Sequence, residues 1–182
     1  CEQAGITPDF LCLSKGLTGG YLPLSAVLTN TAIYEAFYAD YATGKAFLHS
    51  HSYTGNALAC SVALESLSLF DRDDILHSNA ERARLMGQCV AELHDHPKIA
   101  EVRQQGMILA IEMAEEKTSR KPYPLEQRRG LIAYQEALRQ GVLLRPLGNV
   151  VYFMPPYVIN PDEIQHMARS AIDAIHLATR AD

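Results

Sequence analysis

The chain has 182 residues, 48% of them hydrophobic and 20% charged, enough apolar material to bury a sizeable core and to exclude intrinsic disorder. Sixteen Lys and Arg against 21 Asp and Glu give a net charge of −5, which lacks the basic stripe a nucleic-acid binder uses to displace phosphate counterions. There is no run of eighteen apolar residues and no basic, then apolar, leader at the N-terminus, so a soluble cytoplasmic protein without a membrane partner is expected. Cys1, Cys12, Cys60 and Cys89 are far apart and form no C-x-x-C pair, which argues against a disulfide framework or a cysteine zinc site.

Glu2 to Asp9 reads as a helix end and a turn, with Gly5 suited to a position just past a helix and Pro8 to a stop. A turn is an unusual place for a domain to start, so the chain is expected to be the later part of a longer protein. Phe10–Leu13 is a short apolar run that suits a buried strand ending at Lys15, and Leu24–Thr29 is a second such run. Asn30 or Thr31 caps a helix to about Tyr38, followed by a loop bearing glycine and aromatics up to His49. Gly55-Asn56 introduces a helix over about Ala57–Phe70 that is apolar on nearly every side, as expected of an element buried between layers. Asp71-Arg72-Asp73-Asp74 is the clearest break in composition.

Beyond it, Ile75, Leu76, Ala80, Ala83, Met86, Cys89, Val90 and Leu93 follow helical spacing and predict one long helix to about Asp95, stopped by Pro97. Met107–Met113 is an apolar strand, and Glu115–Lys121 a charged surface loop. Pro124 should open a helix to about Arg139, closed by Gly141. Val142–Arg145 and Val150–Met154 flank Pro146-Leu147-Gly148-Asn149 and predict a hairpin with a four-residue turn. Pro161 starts a last helix with Ile164, Met167, Ala168, Ala171, Ile172 and Ile175 on one face. Strands and helices alternate here in an α/β or α+β pattern, and two packing units fit better than one.

Three places could carry chemistry. Lys15 ends a strand and precedes Gly16-Leu17-Thr18-Gly19-Gly20, where a lysine amine could reach a carbonyl and form a covalent link; a solvated surface lysine is the plain alternative. The order needed for a P-loop is absent. His49-Ser50-His51-Ser52-Tyr53-Thr54-Gly55-Asn56 sets several hydroxyls ahead of a helix start, whose free N–H groups suit a phosphate or carboxylate. Capping by Thr54 or Asn56 is the plain reading there, and two histidines without a third ligand do not make a metal site. Arg145 stands in an otherwise apolar hairpin, where its planar fork suits a carboxylate, either of a substrate or of an acidic side chain.

These stretches share a resemblance. Asp9-Phe10-Leu11-Cys12-Leu13-Ser14-Lys15-Gly16-Leu17-Thr18-Gly19-Gly20 resembles the cofactor-lysine segment of the class III aminotransferases, which carry pyridoxal 5′-phosphate on the aspartate-aminotransferase-like α/β scaffold called fold type I. Ser52-Tyr53-Thr54-Gly55-Asn56 resembles their Thr-Phe-x-Gly-Asn element. Arg145 to Tyr157 is similar to the C-terminal hairpin of the class III enzymes of biotin synthesis. The resemblance implies that residues 1–70 are the C-terminal part of a large cofactor-binding domain and 71–182 a small C-terminal α+β domain.

It also implies roles. Lys15 would be the catalytic, cofactor-binding lysine and the proton carrier. Ser52, where the family usually has Thr, would bind the cofactor phosphate of the neighbouring subunit, so a homodimer with shared active sites follows. Ser50 stands near the cofactor where relatives often have Gly. Arg145 would receive the carboxylate of the substrate 8-amino-7-oxononanoate beside Tyr152, with adenosylmethionine or lysine as amino donor. The family's aspartate for the pyridine nitrogen, its ring-stacking aromatic and its Gly-Ser phosphate loop all precede the lysine and are expected upstream of residue 1. Two rival expectations remain: an ω-amino-acid:pyruvate transaminase, and a folded module that is not catalytic on its own.

Overall fold

A computed structural model describes residues 1–180 and divides into two compact units, Cys1–Asp74 and Ile75–Asp182.

In the first unit, strand β1 (Phe10–Leu13) pairs antiparallel with β2 (Ala26–Thr29), with Phe10 opposite Thr29 and Leu13 opposite Ala26. Asp9 anchors the open end: its carboxylate accepts from Asn30 Nδ2 at 2.8 Å and its carbonyl from Thr29 Oγ1 at 3.0 Å. Helix α1 (Thr31–Phe37) starts where the sequence predicts, because Asn30 Oδ1 accepts the Ile33 N–H at 3.0 Å and so satisfies one of the first-turn donors. Helix α2 (Ala57–Arg72) is capped in the same way by Asn56, through the Ala59 N–H at 3.1 Å. Its expected burial on all sides is not observed: Ala59 and Ala63 are buried, while Leu58, Leu64 and Leu67 are exposed. Among the described residues the 3₁₀ turn over Lys15–Thr18 packs most closely on α2, and Val62, Leu69 and Phe70 are only half-buried.

The second unit is built on antiparallel pairs. Strands β3 (Ile99–Gln105), β4 (Ile108–Glu116), β6 (Arg145–Leu147) and β7 (Val150–Phe153) form a sheet in the order β3-β4-β7-β6, and the short β5 (Lys121–Pro122) pairs with the end of β4. Leu109, Ile111 and Met113 on β4 and Val151 and Phe153 on β7 are buried at every second position, so they share one sheet face. Together with residues of α3 (Ile75–Cys89), α4 (Arg129–Arg139) and α5 (Pro161–Ala178) they form one core. The predicted stripe of α5 is the buried one, and Asn160 closes a full capping box: its Oδ1 accepts from Glu163 N, and the Glu163 carboxylate accepts from Asn160 N, both at 2.9 Å.

Several expected elements differ. The long helix after residue 75 ends at Cys89, and Ala91–His94 tighten into a 3₁₀ turn that buries Leu93. Strand β3 has no counterpart among the predicted elements, because its polar sequence is that of a sheet edge; Arg103 reaches Glu112 across to β4 at 2.8 Å. Glu115–Lys121 is the turn of a hairpin, with β4 running to Glu116 and β5 returning from Lys121. Pro124 opens only a 3₁₀ turn (Leu125–Gln127); Arg128 then takes φ 48° and α4 begins at Arg129. The arginine-bearing hairpin is tighter than expected. Leu147 pairs with Val150, leaving a two-residue turn at Gly148-Asn149 with Gly148 at φ 60°, and Val142–Leu144 form no strand.

Candidate active site

Lys15 stands where β1 gives way to the 3₁₀ turn, with φ 50°. The left-handed region is uncommon for a side chain larger than hydrogen and persists only where neighbours impose it. They do so here. Thr18 is buried and its Oγ1 donates to Leu22 O at 2.5 Å, Ser66 Oγ on α2 donates to Gly16 O at 3.4 Å, and Gly19 closes the turn at φ 59°. The lysine is thus carried by a short strand and a turn tied down from both sides, with its side chain at the edge of a cavity of about 1000 Å³. Ser14, Ser25, Tyr53 and Thr54 bring hydroxyls to that cavity, and His49 and His51 bring imidazoles.

Ser50 and Ser52 do not line it; both are exposed. Ser52 opens the turn 52–55, and it is Asn56 that caps α2, so the hydroxyl predicted beside the helix start is separated from it by that turn. The turn is ordered by His51: its carbonyl accepts from Thr54 N at 2.9 Å and its Nδ1 from Tyr53 N at 3.2 Å. Among the described residues no group of three or more His, Cys, Asp or Glu is placed to hold a metal ion, and no helix is long and apolar enough to cross a membrane.

In the second unit, Arg145 begins β6 opposite Tyr152 on β7, and both border a cavity of about 910 Å³ with Leu143, Met154 and Pro155. Sequence reasoning left open whether an acidic side chain answers the arginine. Asp162 and Glu163 border the same cavity, yet among the described residues none pairs with Arg145; the Glu163 carboxylate is engaged in the capping box. The guanidinium is exposed and escapes the desolvation cost expected for it.

The arginine that is buried was not singled out by sequence. Arg129 donates to Gln127 Oε1 at 2.9 Å and to the carbonyls of Ala178 and Arg180 at 3.1 and 3.3 Å, and lies 4.9 Å over the Tyr123 ring. A cation there meets the unsatisfied carbonyls at the end of α5. Its only sequence signal is its place beside the Pro124 turn, which does not by itself distinguish it from a surface arginine.

Residues 1–175 match the family Aminotransferase class-III. The chain belongs to the class III aminotransferases. It is 43% identical over 178 residues to the adenosylmethionine-8-amino-7-oxononanoate aminotransferase of Nitratidesulfovibrio vulgaris, an alignment covering 96% of this chain and 33% of that protein. The crystal structure of the enzyme of the same name from Methanocaldococcus jannaschii superposes with a TM-score of 0.87 at 36% identity, over 94% of this chain and 39% of that one. The ω-transaminase from Pseudomonas jessenii in complex with PMP gives 0.89 at 28% identity, over 98% and 39%. The chain therefore spans about a third to two fifths of the length of these class III relatives.

Class III aminotransferases depend on pyridoxal 5′-phosphate, and the donor set at Lys15 fits such a group. A primary amine on a fixed backbone suits an aldehyde, and the surrounding hydroxyls and imidazoles in a roomy cavity suit polar ring substituents and an anion.

Proposed function

We propose that this chain supplies the carrier lysine and the acceptor-recognition hairpin of an aminotransferase that converts 8-amino-7-oxononanoate to 7,8-diaminononanoate in biotin synthesis, with adenosylmethionine or lysine as donor. The observation that carries the acceptor assignment is Arg145: an arginine with no acidic partner among the described residues, at the rim of an otherwise largely apolar cavity. That combination suits a long aliphatic acid, whose chain lies on Leu143 and Met154 while its carboxylate meets the guanidinium fork. The naming of relatives at up to 43% identity for this reaction supports the same reading.

Bound pyridoxal phosphate supplies the electron sink that makes the carbon next to the nitrogen acidic. The chain's own residues do the rest. Lys15 would hold the cofactor through Nζ, and the same amine, when free, would carry a proton between the substrate carbon that bears the nitrogen and the cofactor carbon bound to that nitrogen. Tyr152 flanks the acceptor beside Arg145. Ser52, exposed and outside the Lys15 cavity, is proposed to bind the cofactor phosphate of a second subunit, and Ser50 to lie close to that cofactor, which makes the active form a homodimer. The same reading proposes a cytoplasmic enzyme.

Single-turnover kinetics on the whole enzyme test the acceptor assignment, because the two half-reactions are read separately from the absorbance of the cofactor. Arg145→Ala should raise the acceptor KM by roughly ten- to a hundredfold, the range for losing charge-assisted hydrogen bonds to a carboxylate, and leave the donor half-reaction unchanged. Arg145→Lys should recover only part of the loss. The likeness to ω-transaminases supports the second reading. In that case Arg145→Ala leaves the keto-acid half-reaction intact, and β-alanine or γ-aminobutyrate with pyruvate turns over faster than 8-amino-7-oxononanoate.

A further inference from the structure

The turn that carries Arg145 meets α4 at a point with no room for a side chain. A Cβ built on Gly130 would stand 2.3 Å from the Gly148 carbonyl oxygen and 2.9 Å from Pro146 Cβ. The first of these is a backbone atom and the second belongs to a ring, so neither neighbour can rotate away. Gly130 lies in the first turn of α4 and is buried; Gly148 is the tip of the hairpin, and Pro146 is bonded to Arg145 itself. The hairpin therefore rests directly on the helix backbone, Cα against carbonyl, a contact open only to glycine.

The tip is held on other sides as well. Asn149 O accepts from Met113 N on β4 at 2.9 Å, and Asn149 Nδ2 donates to Tyr123 O at 2.7 Å. The Tyr123 ring lies under the Arg129 guanidinium, which grips the end of α5. A two-residue turn pinned in this way fixes the start of β6 as one body, because β6 is three residues long and paired to β7 along its length. Arg145 is exposed and has no ion pair among the described residues to orient it, so its placement comes from the backbone beneath it.

We infer that Gly130 is a positioning residue for acceptor recognition: its missing side chain seats the Gly148 turn and thereby sets where the Arg145 guanidinium meets the substrate carboxylate. The inference rests on the acceptor reading above and adds a residue outside the cavity that borders Arg145. Gly130→Ala must push the turn off α4 and carry Arg145 with it, whereas a small displacement elsewhere in this unit leaves the arginine in place.

The test is a double-mutant cycle in the whole enzyme with 8-amino-7-oxononanoate as acceptor, read as acceptor KM against the donor half-reaction. Gly130→Ala should raise acceptor KM by about ten- to a hundredfold, the scale of loss from an ångström-sized misplacement, with the donor half-reaction unchanged. Gly130→Ala combined with Arg145→Ala should be no worse than Arg145→Ala alone. Asn149→Ala, which loosens the turn without a clash, should shift the same parameter less and decides the matter where Gly130→Ala fails to fold. Gly87→Ala is the control: there the added Cβ meets only the far end of the flexible Gln104 side chain, Oε1 at 2.6 Å and Cδ at 3.7 Å, and acceptor KM should stay as it was. In the 182-residue chain, backbone amide resonances of residues 145 and 147–152 should move in Gly130→Ala and not in Gly87→Ala. Effects that add to those of Arg145→Ala, or an unchanged KM in both Gly130→Ala and Asn149→Ala while Arg145→Ala raises it, overturn the inference and leave the acceptor assignment standing. An Arg145→Ala enzyme with normal acceptor KM brings down the assignment, and this inference with it.

Discussion

The two units of the chain are organised differently. In the first, the buried side chains are Thr18, Ala59 and Ala63, and large apolar residues such as Phe10, Leu28, Tyr38, Phe47 and Leu64 are exposed. In the second, one core joins a sheet face to three helices, with Met86, Leu109, Ile111, Phe153, Ile164 and Ile175 all but inaccessible. The first unit's order comes instead from local devices: two asparagine caps, the Asp9 anchor and the braced turn at Lys15. The second can stabilise itself by burial, whereas the first leaves its large apolar side chains exposed. The chemistry follows that division. Lys15, the proposed carrier amine, sits on a turn in the thinly packed unit, and Arg145, proposed to select the acceptor, sits on a hairpin supported by a full core.

The sharpest way to break this contrast is to remove the same apolar side chain from each unit. Leu109→Ala should cost about 2–5 kcal/mol, since the truncation leaves a cavity in a packed core. Leu64→Ala, on the exposed side of α2, should stay within about 0.5 kcal/mol. Urea unfolding of the chain, followed by far-UV circular dichroism, gives both numbers; equal losses would erase the distinction between the units.

A smaller effect comes from protons. His96 precedes β3 and is partly buried, its ring 5.0 Å from that of His176 on α5. Burial first, then His176, Lys117 and Lys98, hold its pKa below the ordinary histidine value of 6.5. The unfolded chain therefore binds this proton at a higher pH than the folded one does. The stability contribution is complete above pH 6.5, declines as pH falls through that value, and levels off only when the folded ring protonates too. His96→Gln should flatten the fall in urea midpoint between about pH 7.5 and about pH 5.5. An unchanged slope would show that this ring does not couple to folding of the second unit.

What could be read from sequence follows the same physics. Caps and breakers are local, so Asn30, Asn56, Pro161 and Gly141 mark their boundaries correctly. The stripe of α5 is legible because burial on one side imposes a period of 3.6. Strand β3 is not legible: an edge strand tied to its neighbour by the Arg103–Glu112 ion pair has few apolar positions and no alternation to detect. The break between the Pro124 turn and α4 was missed because it depends on Arg128 adopting positive φ, which no composition signal announces. At the candidate site, Lys15 and Arg145 stand out in sequence because each is an unusual residue for its setting, whereas Tyr152 is named only through the family resemblance. Gly130 and Arg129 could not be found that way, because their roles lie in what comes close from distant parts of the chain.

Lys15 is proposed as the amine that carries the cofactor. Incubation of the whole enzyme with pyridoxal 5′-phosphate, reduction with borohydride and peptide mass spectrometry tests it directly, because reduction fixes the lysine linkage in place. The phosphopyridoxyl mass should appear on the peptide containing Lys15 and be lost in Lys15→Ala, together with transamination. A modified lysine elsewhere with Lys15 unlabelled, or full turnover by Lys15→Ala, would contradict it.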